Sequence, residues 1–301
     1  MSRPFVRLLL AIPLTGMLLA GSLAVAWLAI GSPQPAAGTT WFTVHKIGTE
    51  AHLTDAPGQP FYFLALGNDG RTDADPGLGD AIHVIGVNPA TGDASILDVP
   101  RDTEAPGGGK INAFHAGGGL PSIANQLNRM MGITISYAVT TNFPGFVSMV
   151  DEIGGVDIDV TEPMFDHDSG TEFAPGRYHM SGDSLLAFSR DRKSYPQEGD
   201  RQRTVNQGKA IIAALATLRA QNPGAAGTAK LTVTLARHVR TDGLDLSQMY
   251  ELGRLAMAID PARIKNVVIP TGAGAGTNLS VAPAAQDLFA DFRDDAILQN
   301  H

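Results

Sequence analysis

The sequence predicts an α/β sandwich preceded by one N-terminal transmembrane helix. Three observations predict it. Compact apolar runs alternate with segments of helical spacing, turn residues separate the two, and a long uncharged stretch opens the chain behind a pair of arginines.

Arg3 and Arg7 precede an uncharged stretch from Leu8 to Ile30. At about 1.5 Å per residue that stretch is long enough to cross a hydrocarbon core. A cleavable leader is the alternative, with small residues at Ala24 to Ala26 or Ala36 to Ala37 as cutting points, but leader h-regions usually run only about 7 to 15 residues. The length therefore favours a retained anchor over 8–30. Both arginines lie on its short N-terminal side, so residues 1–7 are expected in the cytoplasm and the body outside it, on the cell membrane. Residues 31–40, rich in Pro, Gly and Ala, read as a linker, and 41–301 as one domain without internal repeats.

Within that domain Phe61 to Leu66, Ile82 to Val87 and Ser95 to Val99 read as strands, the last two joined through the turn residues Asn88 to Asp93. Leu120 to Met131 has helical spacing and Tyr137 to Thr141 reads as a strand. Phe143 to Ile153 reads as a helix closed by Gly154 and Gly155, and Val156 to Val160 as a strand. Ser181 caps a short helix through Ser189, and Thr204 to Ala220 forms a longer one with Val205, Ile212, Leu215 and Leu218 on its apolar side. Lys230 to Leu235 reads as a strand, Leu246 to Ala258 as a helix opened by Asp245, Asn266 to Ile269 as a strand, Gly272 to Gly276 as a small loop and Pro283 to Phe292 as a terminal helix.

Composition narrows the function. The chain has 301 residues, 44% of them apolar, which is ample for a core. A formal net charge of −8 argues against nucleic acid as a partner, which would need a basic face. With no cysteine, disulfides, thiolate metal sites and cysteine nucleophiles are excluded, so any metal is held by oxygen or histidine.

Against that acidic balance, Arg190, Arg192, Lys193, Arg201 and Arg203 crowd into one short segment. Guanidinium forks suit phosphate oxygens, and on an extended segment Arg190 and Arg192 would leave the backbone on one side. The alternative is a solvated loop whose charges answer Asp191, Glu198 and Asp200. Asp69 ends the first strand and Asp80 stands before the next, so both carboxylates belong to one sheet edge. Two such carboxylates can share a hard divalent cation such as Mg²⁺, although an Asp- and Gly-rich loop is also an ordinary turn. The third strand ends in Arg101 and Asp102, which either form a structural ion pair or meet a ligand at that edge. A glycine-rich loop then leads to Lys110 and Asn112, placed to close over a phosphate. Gly107 to Gly109 lacks P-loop spacing. Arg203 and Gln207 stand four apart on a helix and point the same way. There is no nucleophile elbow, no HExxH motif and no histidine set with ligand spacing.

The pieces GNDGR, Asp80 before a strand, VPRDT, GKINAFHAGGG, FPGFVSMVDEIGGVDIDV, MSGDSLLAFSRDR and GDRQRTVNQ, in this order behind an N-terminal anchor, resemble the LytR-CpsA-Psr family from about Phe61 to Phe292. The resemblance implies a three-layer αβα sandwich around a central mixed β-sheet, with an apolar pocket for an isoprenoid chain lined by parts of Leu120 to Met131 and Phe143 to Ile153. It implies an enzyme of Gram-positive, here actinobacterial, cell-wall assembly that moves a glycopolymer from a polyprenyl pyrophosphate carrier to peptidoglycan. It further implies Asp69 and Asp80 as Mg²⁺ ligands, Arg101, Lys110, Arg190, Arg192, Arg203 and Gln207 as the pyrophosphate-binding set, and Asp102 or one of the aspartates as acceptor of the hydroxyl proton. Two positions depart from the family pattern. Leu78 stands where an arginine usually precedes the second aspartate, and Asn206 replaces the second arginine of the helix motif. These departures leave two rivals open: a non-catalytic polyprenyl phosphate-binding or regulatory protein, and a pyrophosphatase using water as acceptor.

Overall fold

The computed structural model describes residues 40–47, 58–69, 78–222 and 224–299. The expected anchor at 8–30 and linker at 31–40 lie outside the described residues, apart from residue 40. Among the described residues no helix is long and apolar enough to cross a membrane.

The chain begins with β1 (Phe42–Lys46), β2 (Phe61–Asn68), β3 (Gly79–Asn88) and β4 (Asp93–Asp98). β3 and β4 form the expected hairpin, turned by Asn88, whose side chain accepts the Ala90 N–H, and by Gly92 at φ 72°. Helix α1 (Ala113–Met131) starts about two turns earlier than its apolar spacing indicates. It is broken at Gly119, whose φ of 65° only glycine adopts freely, just ahead of Pro121. β5 (Ile135–Thr141) leads into α2 (Phe143–Glu152), capped by Asn142 accepting the Gly145 N–H at 2.9 Å.

The next part of the chain is built from short pieces: β6 (Val156–Val160), β7 (Met164–Asp166), β8 (Thr171–Phe173), β9 (Gly176–Met180) and α3 (Gly182–Arg190), which Ser181 caps as expected. The long α4 (Gly199–Gln221) follows, then α5 (Gly224–His238), β10 (Val239–Asp242), α6 (Leu246–Ala258), β11 (Lys265–Val268), β12 (Thr271–Ala273), β13 (Leu279–Val281) and α7 (Ala285–Asp295).

Two expectations are corrected here. Lys230 to Leu235 is helical, inside α5, because packing against α6 overrides the local strand signal of the run Thr232, Val233, Thr234. The Gly272 to Gly276 stretch is not a plain loop, since its start pairs with β13 in a small hairpin.

Seven strands form one mixed sheet in the order β10-β1-β5-β2-β3-β4-β11, with β2 parallel to β5 and antiparallel to β3. Strand alternation divides the apolar side chains between its faces. Tyr62, Leu64, Leu66, Ile82, Val84 and Leu97 pack with Leu127 and Met131 of α1 and with Phe289 and Phe292 of α7. Each aliphatic side chain so buried contributes about 1.5–3 kcal/mol. On the other face Phe61, Phe63 and Ile85 meet Leu215 of α4. A further cluster joins α2, α3, β6 and Ala210 of α4. The buried positions in the first half of α4 are Arg203, Thr204, Asn206, Gly208 and Ala210, and that stretch carries polar groups inward where the expected apolar stripe would lie.

Candidate functional site

The topology delivers the candidate residues to one end of the sheet. Gly67 of β2 pairs with Thr141 of β5 in parallel, so both strands end together. β3 runs back from that end and β4 returns to it. Asp69, the start of β3 at Asp80, Arg101 after β4 and Phe143 after β5 therefore lie along one edge, where open α/β sheets bind ligands. Gly67 pairs with Ala81 and Asn68 with Gly79, which leaves Asp80 as the extra residue of a bulge. Bulges re-aim a side chain away from the regular pleat. Asp80 uses it to reach Arg101.

Arg101 Nη1 donates to Asp80 Oδ1 at 2.7 Å. Its Nε lies 3.8 Å from Asp200 Oδ1, and Arg203 Nη2 approaches the same oxygen at 2.8 Å. Arg203 Nη2 is also 3.5 Å from the Asp80 carbonyl oxygen. Asp80, Arg101, Asp200 and Arg203 thus form one network of two cations and two anions. Burial alone would lower the pKa of Arg101, yet its bond to Asp80 and the charges of Asp80, Asp200 and Asp102 raise it overall. Arg203, only 5% exposed, is shifted the other way. Burial lowers its pKa, Asp200 opposes that, and the positive charges of Arg101 and Arg192 add to the lowering. Arg192 is thereby placed within electrostatic reach of Arg203.

Around this network several buried polar atoms have no hydrogen-bond partner: Arg101 Nε, Arg203 Nε, both Asp200 oxygens, Ser189 Oγ and Gln207 Oε1. Asp200 Oδ1 sits at ion-pair distance from Arg203 without the direction of a hydrogen bond. Buried groups of this kind are normally satisfied, by protein, by ordered water or by a bound ion.

The remaining candidates adjoin the network. Lys110 Nζ donates to Asp102 Oδ1 at 2.8 Å. The glycine loop before Lys110 folds on itself, with Ala105 N–H bonded to the Gly109 carbonyl and Gly108 and Gly109 at φ 84° and 76°. Lys110 is held against Asp102 after that turn, in place of the expected loop free to close. Asp69 Oδ1 accepts the Leu78 N–H at 2.7 Å, which ties its carboxylate to the backbone entering β3. Gln207 Nε2 donates to the Ser189 carbonyl at 3.2 Å, joining α4 to the end of α3.

Arg190 and Arg192 do not share an extended segment. Arg190 is the last residue of α3, Asp191 caps it with φ −61° and ψ 129°, and Arg192 opens the following turn. The Arg190 guanidinium lies 4.9 Å above the Phe143 ring, a cation–π contact at the same sheet edge. Of the two departures, Leu78 is 42% exposed beside Asp69, and Asn206 is buried with its Oδ1 accepting from Gln202 Nε2 at 3.2 Å. Asp200 was the residue missed. Its position three before Arg203 at a helix start was the available signal, but as sequence it reads as one more surface acid.

Fold and edge together define a mixed α/β protein with arginines and carboxylates gathered at one end of its sheet. The LytR_cpsA_psr family model matches residues 42–292, and the chain belongs to that family. Among curated relatives, a polyisoprenyl-teichoic acid–peptidoglycan teichoic acid transferase TagU of Bacillus cereus is 39% identical over 160 residues, which are 50% of this chain and 52% of the relative. The chain spans about half the length of the first such relatives. Bacillus subtilis TagV has a similar solved structure, with a TM-score of 0.66 at 22% identity, covering 80% of this chain and 98% of that one. The structure of the family protein YwtF (TagT) with bound octaprenyl pyrophosphate lipid has a TM-score of 0.60 at 19% identity, covering 80% and 92%.

Proposed function

We propose that the protein is a phosphotransferase that moves a glycopolymer from a polyprenyl pyrophosphate carrier to a peptidoglycan hydroxyl on the outer side of the cytoplasmic membrane. The observation that carries this reading is the meeting of Arg101 and Arg203 with Asp80 and Asp200 at the sheet edge, with Arg101 Nε, Arg203 Nε and both Asp200 oxygens buried and without a hydrogen-bond partner. The names of the relatives support the donor and acceptor classes.

In this reading Arg101, Arg203, Arg190, Arg192, Lys110 and Gln207 hold the pyrophosphate and offset the charge that builds up on it. The acceptor hydroxyl attacks the phosphorus that bears the glycan, the bond to the bridging oxygen breaks, and polyprenyl phosphate leaves. Asp102, paired with Lys110, or one of the other aspartates at the edge accepts the hydroxyl proton. Asp69 and Asp80 would hold Mg²⁺. Among the described residues no group of three or more His, Asp or Glu forms a cation cage. Mg²⁺ nonetheless fits this donor set, since it takes one or two carboxylates, substrate phosphates and waters, and the orphaned Asp200 oxygens add anionic character on the other side of Arg101. Bound there, the ion would polarise the phosphoryl oxygens.

The test is a reconstituted reaction with a lipid-pyrophosphate-linked glycan and peptidoglycan. Glycan attached to peptidoglycan with release of polyprenyl phosphate is the expected product. Phosphate release without attachment would instead indicate a pyrophosphatase, and binding without any product a lipid-binding protein.

A further inference from the structure

We propose that Asp166 and Asp191 are positioning residues, which pin the backbone of the Arg190–Lys193 segment so that its arginines face the anionic ligand. The inference rests on the pyrophosphate reading above and names residues outside the set assigned there.

Asp191 stands between Arg190 and Arg192 and is completely buried, while both arginines are exposed. An acid placed there would ordinarily neutralise its neighbours. Among the described residues neither Asp191 nor Asp166, itself only 4% exposed, forms an ion pair. Asp191 Oδ2 accepts from Thr171 Oγ1 at 2.6 Å and from Ser194 Oγ at 2.7 Å, and its Oδ1 accepts the Ser194 N–H at 3.1 Å. Asp166 Oδ2 accepts the N–H groups of Arg192 at 3.2 Å and Lys193 at 3.3 Å, and its Oδ1 that of Asp168 at 2.9 Å. Thr171 Oγ1 closes the circuit by accepting the Asp166 N–H at 3.1 Å. The β7–β8 hairpin therefore clamps the arginine segment through main-chain amides and hydroxyls. Two consequences follow. The segment loses conformational freedom before a ligand arrives, and the guanidinium charges stay available because amides and hydroxyls, not arginines, satisfy the carboxylates.

Geranylgeranyl pyrophosphate serves as the probe, titrated calorimetrically into the full chain and its variants. Arg192→Ala and Asp166→Asn are each expected to weaken binding about tenfold, with the double variant no weaker than Arg192→Ala alone, because Asp166 acts through Arg192. Hydrogen exchange at the amides of Arg192 and Lys193 is expected to accelerate at least tenfold in Asp166→Asn. Thr171→Val, a milder change if that variant folds poorly, is expected to show a smaller loss that also vanishes in the Arg192→Ala background. Strictly additive losses, or a wild type that binds, an Arg192→Ala that does not, and an Asp166→Asn and Thr171→Val that bind like wild type, overturn the positioning role alone. A wild type that ignores the probe overturns the pyrophosphate reading, and this role with it.

Discussion

The Arg101 guanidinium and the Asp80 carboxylate meet at 2.7 Å although β4 delivers one and a bulge at the start of β3 the other. The contact exists because both strands reach the same sheet edge, and Asp200 draws the Nε side of the same guanidinium from α4. One planar fork thereby answers two acids from two elements.

Arg101→Ala is expected to lower the turnover of glycan transfer about 100-fold or more, the scale observed when one preorganised donor to a developing charge is removed. Arg101→Lys is expected to restore little of it, since a single ammonium cannot reproduce the fork that spans Asp80 and Asp200. Steady-state transfer to peptidoglycan measures both. An Arg101→Lys variant with near wild-type turnover would show that only the charge matters.

Gly208 lets α4 pass close to β11. A Cβ built there would lie 2.3 Å from Nδ2 and 2.7 Å from Cγ of Asn266 on β11. Gly208→Ala is therefore expected to destabilise the protein by about 1–3 kcal/mol through overpacking, despite alanine's better helix propensity. Urea unfolding measures the loss, and adding Asn266→Ala is expected to recover most of it. A destabilisation that persists in the double variant would place the strain elsewhere.

Much of the sheet edge was legible in sequence because apolar runs have definite ends. Asp69, Asp80 and Arg101 are the residues at which three such runs stop or start, and antiparallel pairing does the rest. The Ser181 cap and the glycines after α2 bounded their helices in the same local way. What orders the arginine segment was not legible. β7 and β8 have three residues each, too few for period-two alternation to show, and the run from Glu162 to Phe173 is mostly polar. What orders it is a set of carboxylate-to-amide bonds between segments well separated along the chain, which no local pattern encodes. Asp200 was hidden for the same reason, since its partnership with Arg101 depends on how α4 crosses the sheet.

The Asp166 carboxyl gives the protein an acid-sensitive element. Burial raises its pKa, but the amides of Arg192, Lys193, Asp168 and Ser169 outweigh burial and bring it from the ordinary 3.8 to about 2. A carboxyl depressed in the folded state binds protons more readily when unfolded. Its contribution to stability is therefore present above about pH 4 and is lost as pH falls through about 2. Denaturant unfolding across that window is expected to show a shallower pH dependence in Asp166→Asn than in wild type. Parallel curves would mean that the amide bonds do not favour the ionised form.

Removing divalent cations separates the two carboxylates at the edge. Chelation is expected to abolish transfer and added Mg²⁺ to restore it. Asp80→Asn also disturbs Arg101, so its effect mixes ion binding with the arginine contact. The Asp69 carboxylate accepts the Leu78 N–H, and Asp69→Asn leaves the Asp80–Arg101 pair in place. That variant is expected to raise the Mg²⁺ concentration needed for half-maximal transfer at least tenfold while saturating Mg²⁺ recovers most of the turnover. Thermal stabilisation by Mg²⁺ together with geranylgeranyl pyrophosphate supplies a readout free of turnover, and it is expected to weaken in parallel. If Asp69→Asn leaves both the Mg²⁺ requirement and the stabilisation at wild-type values, Asp69 is not a ligand of the ion.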